Sequence, residues 1–330
     1  MKMPLNFIDF LENWGNAHRP SMLRKDSEDV LEWQGRFREK LDALRGPVPE
    51  RLPLSVKQLE IEELEDHTRT LVNIKVSESS DLPAYVLVPR NIPEGKTRPG
   101  VLASHGHVES GMVHISGVEE GPRNYGRWAV EAGYVTICPA WWGWPGRDGH
   151  CEKVGDRDKC NVIGMAAAMY GMNLTALHIQ DGVAALDALC ARPDVDADRL
   201  AVIGNSYGGR TAMWLAAFDD RVKACVASGS MNIFRERSLK LSSCGIQCLP
   251  GLLQYGDVPQ VFSLIAPRAL QLQAGEGDSL ITPADRDAMA ETVREAYEGL
   301  GAAGNFEYVL HPHGHTLSWE HAAAFLERHL

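Results

Sequence analysis

The sequence predicts an α/β fold with a mainly parallel central sheet, helices on both faces and an N-terminal helical extension. Beyond residue 100, short apolar runs alternate with segments in which apolar residues recur every three or four positions. Buried parallel strands form continuous apolar runs, and amphipathic segments between them are typical of crossover helices. Hydrophobic residues make up 44% of the 330 residues, which is enough for one large core.

Residues 1–50 are predicted to form the helical extension. Its apolar stripe recurs every three or four residues and consists of Val30, Trp33, Phe37, Leu41 and Leu44. Asp26 and Ser27 lie where an N-cap belongs, and Gly46-Pro47 ends the pattern. The stripe has two interpretations, packing on the main domain or contact with a second copy in a homo-oligomer, because an apolar face does not identify its partner.

Residues 51–330 are predicted to form the main domain. Period-two patterns at 59–64, 70–76 and 82–88 indicate three antiparallel strands. Strands and helices then alternate, with strands at 100–104, 134–138, 199–203, 224–227, 269–273 and 306–310 and helices at 123–132, 174–189, 210–218, 283–300 and 319–329. Two stretches, 141–173 and 229–266, interrupt this rhythm and are expected to be insertions that cover the substrate edge of the sheet.

Composition argues against several classes of function. The net charge of −11 disfavours binding to nucleic acid and to anionic membranes. No segment reaches the ~18 apolar residues of a membrane span. The N-terminus lacks the apolar region of a signal peptide, and seven scattered cysteines suggest reduced thiols. We therefore expect a cytoplasmic protein that carries no cofactor and acts on a small molecule.

The central chemical motif is Gly204-Asn205-Ser206-Tyr207-Gly208-Gly209, which has the form G-x-S-x-G between a predicted strand and a predicted helix. A nucleophilic serine needs a tight, strained turn, and side chains at 204 and 208 would clash with the neighbouring strand and helix. The following helix directs its N-terminus at the serine and favours negative charge there. Ser206 is the candidate nucleophile, and the alternative is an ordinary glycine-rich turn.

A serine hydroxyl becomes a good nucleophile when a base removes its proton, and in this arrangement the base is a histidine later in the chain. Five histidines follow Ser206, at positions 311, 313, 315, 321 and 329. His315 is the favoured base because it follows Gly314 in a loop after a strand, and His313 is its rival. The last two histidines fall inside the final helix.

The acid of such a set is expected after the preceding strand, 269–273. That strand runs into Gly275-Glu276-Gly277-Asp278, and Asp278 would accept the Nδ1 proton of His315. Glu276 and Asp285 are competitors. Two backbone N–H groups are also needed to bind an oxyanion, and we expect these at Tyr207 and at His107, which follows an early strand in Ser104-His105-Gly106-His107.

Together these motifs resemble the α/β-hydrolase superfamily in order and context, over roughly residues 55–330. More narrowly, the chain is similar to the dienelactone hydrolase-like and acetyl xylan esterase-like branch in the stretches 139–147, 161–171, 243–251 and 265–268. The resemblance implies hydrolysis of carboxylic esters through an acyl-enzyme, often removal of acetyl groups from sugars. It also implies Ser206, Asp278 and His315 as triad and the N–H groups of Tyr207 and His107 as oxyanion donors.

The chain departs from this branch at two places. Pro139-Ala140-Trp141-Trp142 stands where relatives often carry Pro-Asp. Serine stands where dienelactone hydrolases use a cysteine nucleophile. Both departures leave the identity of the substrate open, but they do not change the hydrolytic chemistry that the resemblance implies.

Four further residues are candidates for substrate binding: Trp141, Trp142, Trp144 and Arg147. The indole rings could stack on a sugar or an acyl group, or could cover the core. Arg147 could bind a substrate carboxylate or form a structural ion pair. No metal site is predicted: of His105, His107 and His114, two belong to the oxyanion loop, and Cys244 with Cys248 is one pair without a second.

The sequence therefore predicts a serine carboxylesterase for an acetyl or other small acyl ester, with carbohydrate esters among the candidates. One alternative is a serine peptidase of the prolyl-oligopeptidase type, which the absence of a long N-terminal propeller disfavours. The other is a binding protein that kept the fold and lost catalysis.

Overall fold

A nine-stranded sheet forms the centre of the computed structural model, which describes residues 6–148, 156–239 and 244–330. The strands are β1 Ser55–Glu63, β2 His67–Ser77, β3 Ser80–Pro89, β4 Arg98–Ser104, β5 Val135–Pro139, β6 Val195–Asn205, β7 Val222–Ser228, β8 Ala269–Gly275 and β9 Phe306–His311. Their order across the sheet is β1-β2-β3-β5-β4-β6-β7-β8-β9. The first three strands are antiparallel, and β3 joins them antiparallel to β5. From β5 to β9 all neighbours are parallel, which confirms the predicted fold class.

The described helices flank this sheet. They are α1 Phe7–Ala17, α2 Val30–Leu44, α3 Met112–Ile115, α4 Tyr125–Glu131, α5 Asp156–Met169, α6 Leu174–Cys190, α7 Tyr207–Phe218, α8 Phe234–Leu239, α9 Val258–Ser263, α10 Pro283–Gly299 and α11 Trp319–His329. The predicted insertions at 141–173 and 229–266 contain α5, α8 and α9. Residues 149–155 and 240–243 of these insertions lie outside the described part. Among the described residues no single helix is both long and apolar enough to cross a membrane, and one bent pair, α5 with α6, meets that test by length and composition alone.

The sheet separates two apolar clusters because successive residues of a strand point to opposite faces. In β6, Leu200 and Val202 belong to the cluster that contains α2, α6, α7 and α10, whereas Ala201 and Ile203 belong to the cluster that contains α4 and α11. The central strands are therefore covered on both faces, and this explains why they read as continuous apolar runs. Their carboxyl ends form one edge, where the predicted site residues follow.

Helix α2 packs on the main domain, which decides between the two interpretations of its apolar stripe. Trp33, Phe37 and Leu41 are at most 1% exposed and belong to the larger cluster. Gln34 Nε2 donates to the carbonyl oxygens of Ser263 and Ala266 at 2.7 and 2.9 Å. The helix begins one residue after Asp29, whose side chain accepts from the Glu32 N–H, so the N-cap is Asp29 and not the predicted Asp26 or Ser27.

Helix α1 differs from α2 because it keeps an apolar surface. Phe7, Phe10 and Trp14 are at least 50% exposed, and none of its residues is buried. Its N-terminus has a capping box, in which the Asn6 side chain accepts from the Asp9 N–H and the Asp9 side chain accepts from the Asn6 N–H. A homo-oligomer contact through the N-terminal helices stays a prediction, and α1 rather than α2 offers the free apolar surface for it.

Replacing Phe37 tests whether α2 belongs to the core in solution. We expect Phe37→Ala to lower the free energy of unfolding by about 3–5 kcal/mol, because it leaves a cavity under a fully buried ring. Leu31 lies on the same helix and is 58% exposed, so Leu31→Ala should change the free energy of unfolding by less than about 0.5 kcal/mol. Urea unfolding measures both, and equally small losses would show that α2 is not packed as described.

Candidate active site

Ser206 occupies a strained turn between β6 and α7. Its φ is 62° and its ψ is −121°, and it is the only residue other than glycine with a positive φ among those described. A Cβ at position 208 would lie 1.9 Å from the Ser104 carbonyl oxygen, and one at position 204 would lie 2.3 Å from the Gly208 carbonyl carbon. The two glycines therefore allow a turn too tight for side chains, and this turn lifts Ser206 to the carboxyl edge of the sheet.

The loop after β4 passes directly beside this turn. A Cβ at Gly106 would meet the Asn205 carbonyl oxygen at 2.8 Å and the Ser206 Cβ at 3.2 Å. The backbone of His107 follows at once, and His107 lines the same cavity as Ser206. Tyr207 is the first residue of α7, so no carbonyl of a preceding helical turn can accept its N–H. Both predicted oxyanion donors thus adjoin the serine.

Two buried histidines brace these backbone segments. His105 Nε2 accepts from the Trp141 N–H at 3.3 Å, so its Nδ1 donates to the Gly106 carbonyl oxygen at 3.0 Å. Burial lowers the pKa of His105 to about 3, which keeps the ring neutral. In the same way His178 Nε2 accepts from the Trp142 N–H at 3.0 Å and its Nδ1 donates to the Tyr207 hydroxyl oxygen. Burial holds the pKa of His178 well below its usual range.

Asp278 and His315 form a hydrogen-bonded pair. The distance from His315 Nδ1 to Asp278 Oδ2 is 2.7 Å, and the Leu280 N–H donates to the other carboxylate oxygen at 2.9 Å. The Asp278 side chain is fully buried, whereas that of His315 is 22% exposed. Burial alone would raise the pKa of Asp278, but the hydrogen bonds from His315 and Leu280 outweigh it and hold the pKa below its usual value. Asp278 is therefore a carboxylate at neutral pH.

Backbone hydrogen bonds hold the two loops that carry this pair together. The Glu276 N–H donates to the His311 carbonyl oxygen at 2.8 Å, and the Gly277 N–H donates to that of His313 at 3.3 Å. Ser228 Oγ donates to the Thr316 carbonyl oxygen at 2.8 Å, which ties the histidine loop to the end of β7. These contacts present the His315 ring to the Ser206 cavity.

The geometry also places the competing residues. His313 and Glu276 are exposed, and Asp285 lies in the first turn of α10, where its N–H donates to Thr282 Oγ1. Only His315 of the C-terminal histidines lines the described cavity with Ser206. The structure therefore brings Ser206, Asp278 and His315 to one site and leaves their rivals outside it.

A cavity of about 220 Å³ opens at Ser206 and His315. Its other lining residues are Gly106, His107, Val108, Ile115, Arg123, Tyr125, Asn205 and Leu280. A second compartment of about 20 Å³ also touches Ser206 and His315, and it is lined by Arg210, Gly229, Ser230, Asn232, Arg237, Gln247 and Leu280. Ser206 thus lies between a larger and a much smaller space.

Most of the predicted substrate-binding residues are structural instead. Trp141 is fully buried and donates from Nε1 to Ser104 Oγ at 3.0 Å. Trp144 is 5% exposed, donates to the Val108 carbonyl oxygen at 2.8 Å and stacks on the Tyr207 ring. Arg147 pairs with buried Asp181 at 2.5 Å and lies over the half-buried ring of Trp142. None of the four lines either compartment, because this loop packs on the residues that support the oxyanion loop.

Arg210 is a site residue that the sequence analysis missed. It is 1% exposed, one turn of α7 after Ser206, and lines the small compartment. Its Nη2 donates to Asn232 Oδ1, whereas its Nε and Nη1 have no partner among the described residues. Burial lowers its pKa to about 9. The sequence feature that could have identified Arg210 is its position four residues after Ser206, because this spacing places both residues on one side of the helix.

The strain at Ser206 predicts a stability difference between two variants of this residue. Ser206→Gly removes the cost of a positive φ, whereas Ser206→Ala keeps it. We expect Ser206→Gly to exceed Ser206→Ala by about 1 kcal/mol in free energy of unfolding, after allowing for the greater unfolded-state entropy of glycine. Urea unfolding of the two variants measures this, and a less stable glycine variant would contradict the strain.

Comparison with known proteins agrees with this architecture. Residues 110–241 match the model of the dienelactone hydrolase family. The protein YtaP of Bacillus subtilis, which is named as a hydrolase, is 30% identical over 288 residues, which cover 84% of this chain and 92% of YtaP. Dipeptidyl-peptidase 5 of Porphyromonas gingivalis is 26% identical over 152 residues, 45% of this chain but 19% of that protein.

Solved structures share the fold at lower identity. A protein of Bacteroides fragilis described as an acetyl xylan esterase has a TM-score of 0.78 at 16% identity, over 94% of this chain and 83% of that one. A glucuronoyl esterase from Solibacter usitatus has a TM-score of 0.67 at 20% identity, over 99% and 98% of the two chains. The similarity to YtaP, over 84% of this chain, shows that the chain belongs to the same hydrolase family as YtaP, with the α/β-hydrolase fold and a segment, 110–241, that matches the dienelactone hydrolase family.

Proposed function

We propose that this protein is a serine carboxylesterase that hydrolyses small acyl esters through an acyl-enzyme. The observation that carries the proposal is the hydrogen bond between Asp278 and His315 at a cavity that Ser206 shares. A buried carboxylate on Nδ1 orients the imidazole and leaves its Nε2 for a proton from the serine. Such an arrangement serves acyl transfer, in which one group must first accept a proton and then return it.

In the proposed reaction, His315 takes the proton of the Ser206 hydroxyl while the serine oxygen attacks the ester carbonyl carbon. The resulting oxyanion accepts hydrogen bonds from the Tyr207 and His107 N–H groups and lies at the N-terminus of α7. His315 then returns the proton to the departing alcohol, and the acyl group stays on Ser206. Water, deprotonated by His315, then attacks the acyl carbon; the bond to the serine oxygen breaks, His315 returns the proton to Ser206, and the carboxylic acid leaves.

The two compartments support a small acyl group. A space of about 20 Å³ beside Ser206 holds roughly one water-sized group, which suits an acetyl methyl and not a long chain. The space of about 220 Å³ would then receive the alcohol. Acetyl xylan and glucuronoyl esterases share this fold, so acetylated sugars belong in the first substrate panel.

A peptidase is the second candidate, because a dipeptidyl-peptidase matches 152 residues of this chain. The same nucleophile and base would then cleave an amide. Turnover of aminoacyl-nitroanilides at a rate comparable to that of p-nitrophenyl acetate would favour this candidate over the esterase.

Removing the proposed nucleophile and acid tests the mechanism. We expect Ser206→Ala to lower kcat on p-nitrophenyl acetate by about 10⁶-fold, and Asp278→Asn to lower it by about 10⁴-fold, because the imidazole loses its orienting carboxylate. His313→Ala, in the same loop but exposed, is the matched control and should stay within a few-fold of the wild type. Full activity in Ser206→Ala would refute the proposal.

The small compartment predicts a preference for short acyl chains. We expect kcat/KM on p-nitrophenyl esters to fall steeply from acetate to octanoate, because a longer chain meets the wall that Gln247 helps to form. Gln247→Ala should enlarge this compartment and raise the butyrate-to-acetate ratio of kcat/KM. Equal rates on acetate and octanoate would show that the acyl group lies elsewhere.

A further inference from the structure

His107, which lines the cavity at Ser206, forms a cluster with Cys160 and Cys244. They come from three separate segments: the loop after β4, helix α5, and the residue before a single helical turn at Gly245–Gln247. The ring nitrogen and the two sulfur atoms all lie within 4.8 Å of one another. Both cysteines are free thiols, and Cys160 is buried. The fold thus brings together three soft or borderline ligands that are far apart in sequence.

Packing holds each of the three segments in place. Asn161 Oδ1, next to Cys160, accepts from the Gly245 N–H at 2.8 Å, next to Cys244. The His107 ring lies against the rings of Trp144 and Tyr207, with centroids 5.2 and 5.1 Å away. Thr175 Oγ1 donates to the Ile246 carbonyl oxygen at 3.3 Å and ties the same turn to α6. The cluster is therefore built by ordered contacts between elements.

The donor set fits a tetrahedral transition-metal ion. Zinc binds thiolate sulfur at about 2.3 Å and imidazole nitrogen at about 2.0–2.1 Å, so its tetrahedral ligands lie roughly 3.5–4 Å apart. The 4.8 Å limit on this cluster is compatible with that spacing after small rotamer changes.

We propose that His107, Cys160 and Cys244 bind a thiophilic divalent metal ion of the Zn²⁺ class. Within the described part of the chain the cluster offers three ligands, so a water molecule completes a tetrahedral site. A disulfide between the two cysteines is the competing use of these thiols, but it gives the imidazole no part. The bound ion would join the oxyanion loop to both insertions and so hold the rim of the cavity in one arrangement.

Cobalt substitution gives a readout that does not depend on hydrolysis. Reduced, chelator-treated protein is titrated with Co²⁺ and then with Zn²⁺. We expect one equivalent of Co²⁺ to give a thiolate-to-cobalt charge-transfer band and intense tetrahedral d–d bands, which Zn²⁺ removes. We also expect a rise in Tm with Zn²⁺, because the ion binds the folded state.

Single variants assign the ligands. Cys160→Ser and Cys244→Ser should each weaken Co²⁺ binding by at least about 100-fold, more than the loss of a residue that only hydrogen-bonds to a ligand costs. His107→Gln should abolish the tetrahedral bands. Cys190→Ser, a half-buried thiol outside the cluster, is the matched control and should bind Co²⁺ like the wild type. Circular dichroism confirms that each variant is folded.

Three outcomes would overturn the proposal. One is no charge-transfer band in the reduced wild type, and another is an unchanged band in both cysteine variants. The third is a Cys160–Cys244 disulfide on oxidation together with no Co²⁺ binding when reduced, which would identify a redox pair. Fluorophosphonate labelling of Ser206 in the same samples reports the hydrolytic site separately, so failure of either proposal can be recognised without the other.

Discussion

The close approach of Gly208 to the Ser104 carbonyl oxygen is the constraint on which the site depends. A Cβ at position 208 would lie 1.9 Å from that oxygen, so only glycine allows β4, β6 and the start of α7 to approach each other this closely. This contact forces the positive φ of Ser206 and sets the oxyanion loop beside it. The strain is sustained because the central strands, buried on both faces, cannot relax without losing core contacts.

Two buried histidines support the surrounding structure, and a third, His315, is hydrogen-bonded to a carboxylate and faces the cavity. His105 and His178 are buried without a carboxylate partner among their hydrogen bonds, so burial disfavours their charged forms. His105 bonds the backbone of Gly106 and Trp141, whereas His178 bonds the Trp142 N–H and the Tyr207 hydroxyl. His315 has a carboxylate on Nδ1 and partial exposure, which are the conditions that a proton carrier needs. Histidine therefore has two uses in this protein, structural support when it is buried and neutral, and proposed proton transfer when it is partly exposed beside a carboxylate.

Among the described residues, the insertion at 229–266 lines the small compartment, whereas the insertion at 141–173 lines neither compartment. The loop that carries Trp141, Trp142 and Trp144 packs inward on Ser104 and Tyr207, so residues from other segments line the cavity. The turn at Gly245–Gln247 contributes Gln247 to the small compartment and meets α5 beside the proposed metal ligands. The insertion at 229–266 would then set the size of the acyl group, and the proposed metal ion would connect it to α5 of the other insertion.

The sequence by itself determined the strand–helix order, the elbow at Ser206 and the likeness of its motifs to α/β-hydrolases, because period and glycine spacing are local properties. It left His313, Glu276 and Asp285 as competitors, and it did not identify Arg210 or combine His107 with Cys160 and Cys244. Only the tertiary structure decided these, since burial and the distance between side chains of remote segments depend on packing. For the same reason Trp141, Trp144 and Arg147, which were equally typical of a binding surface, belong to the interior.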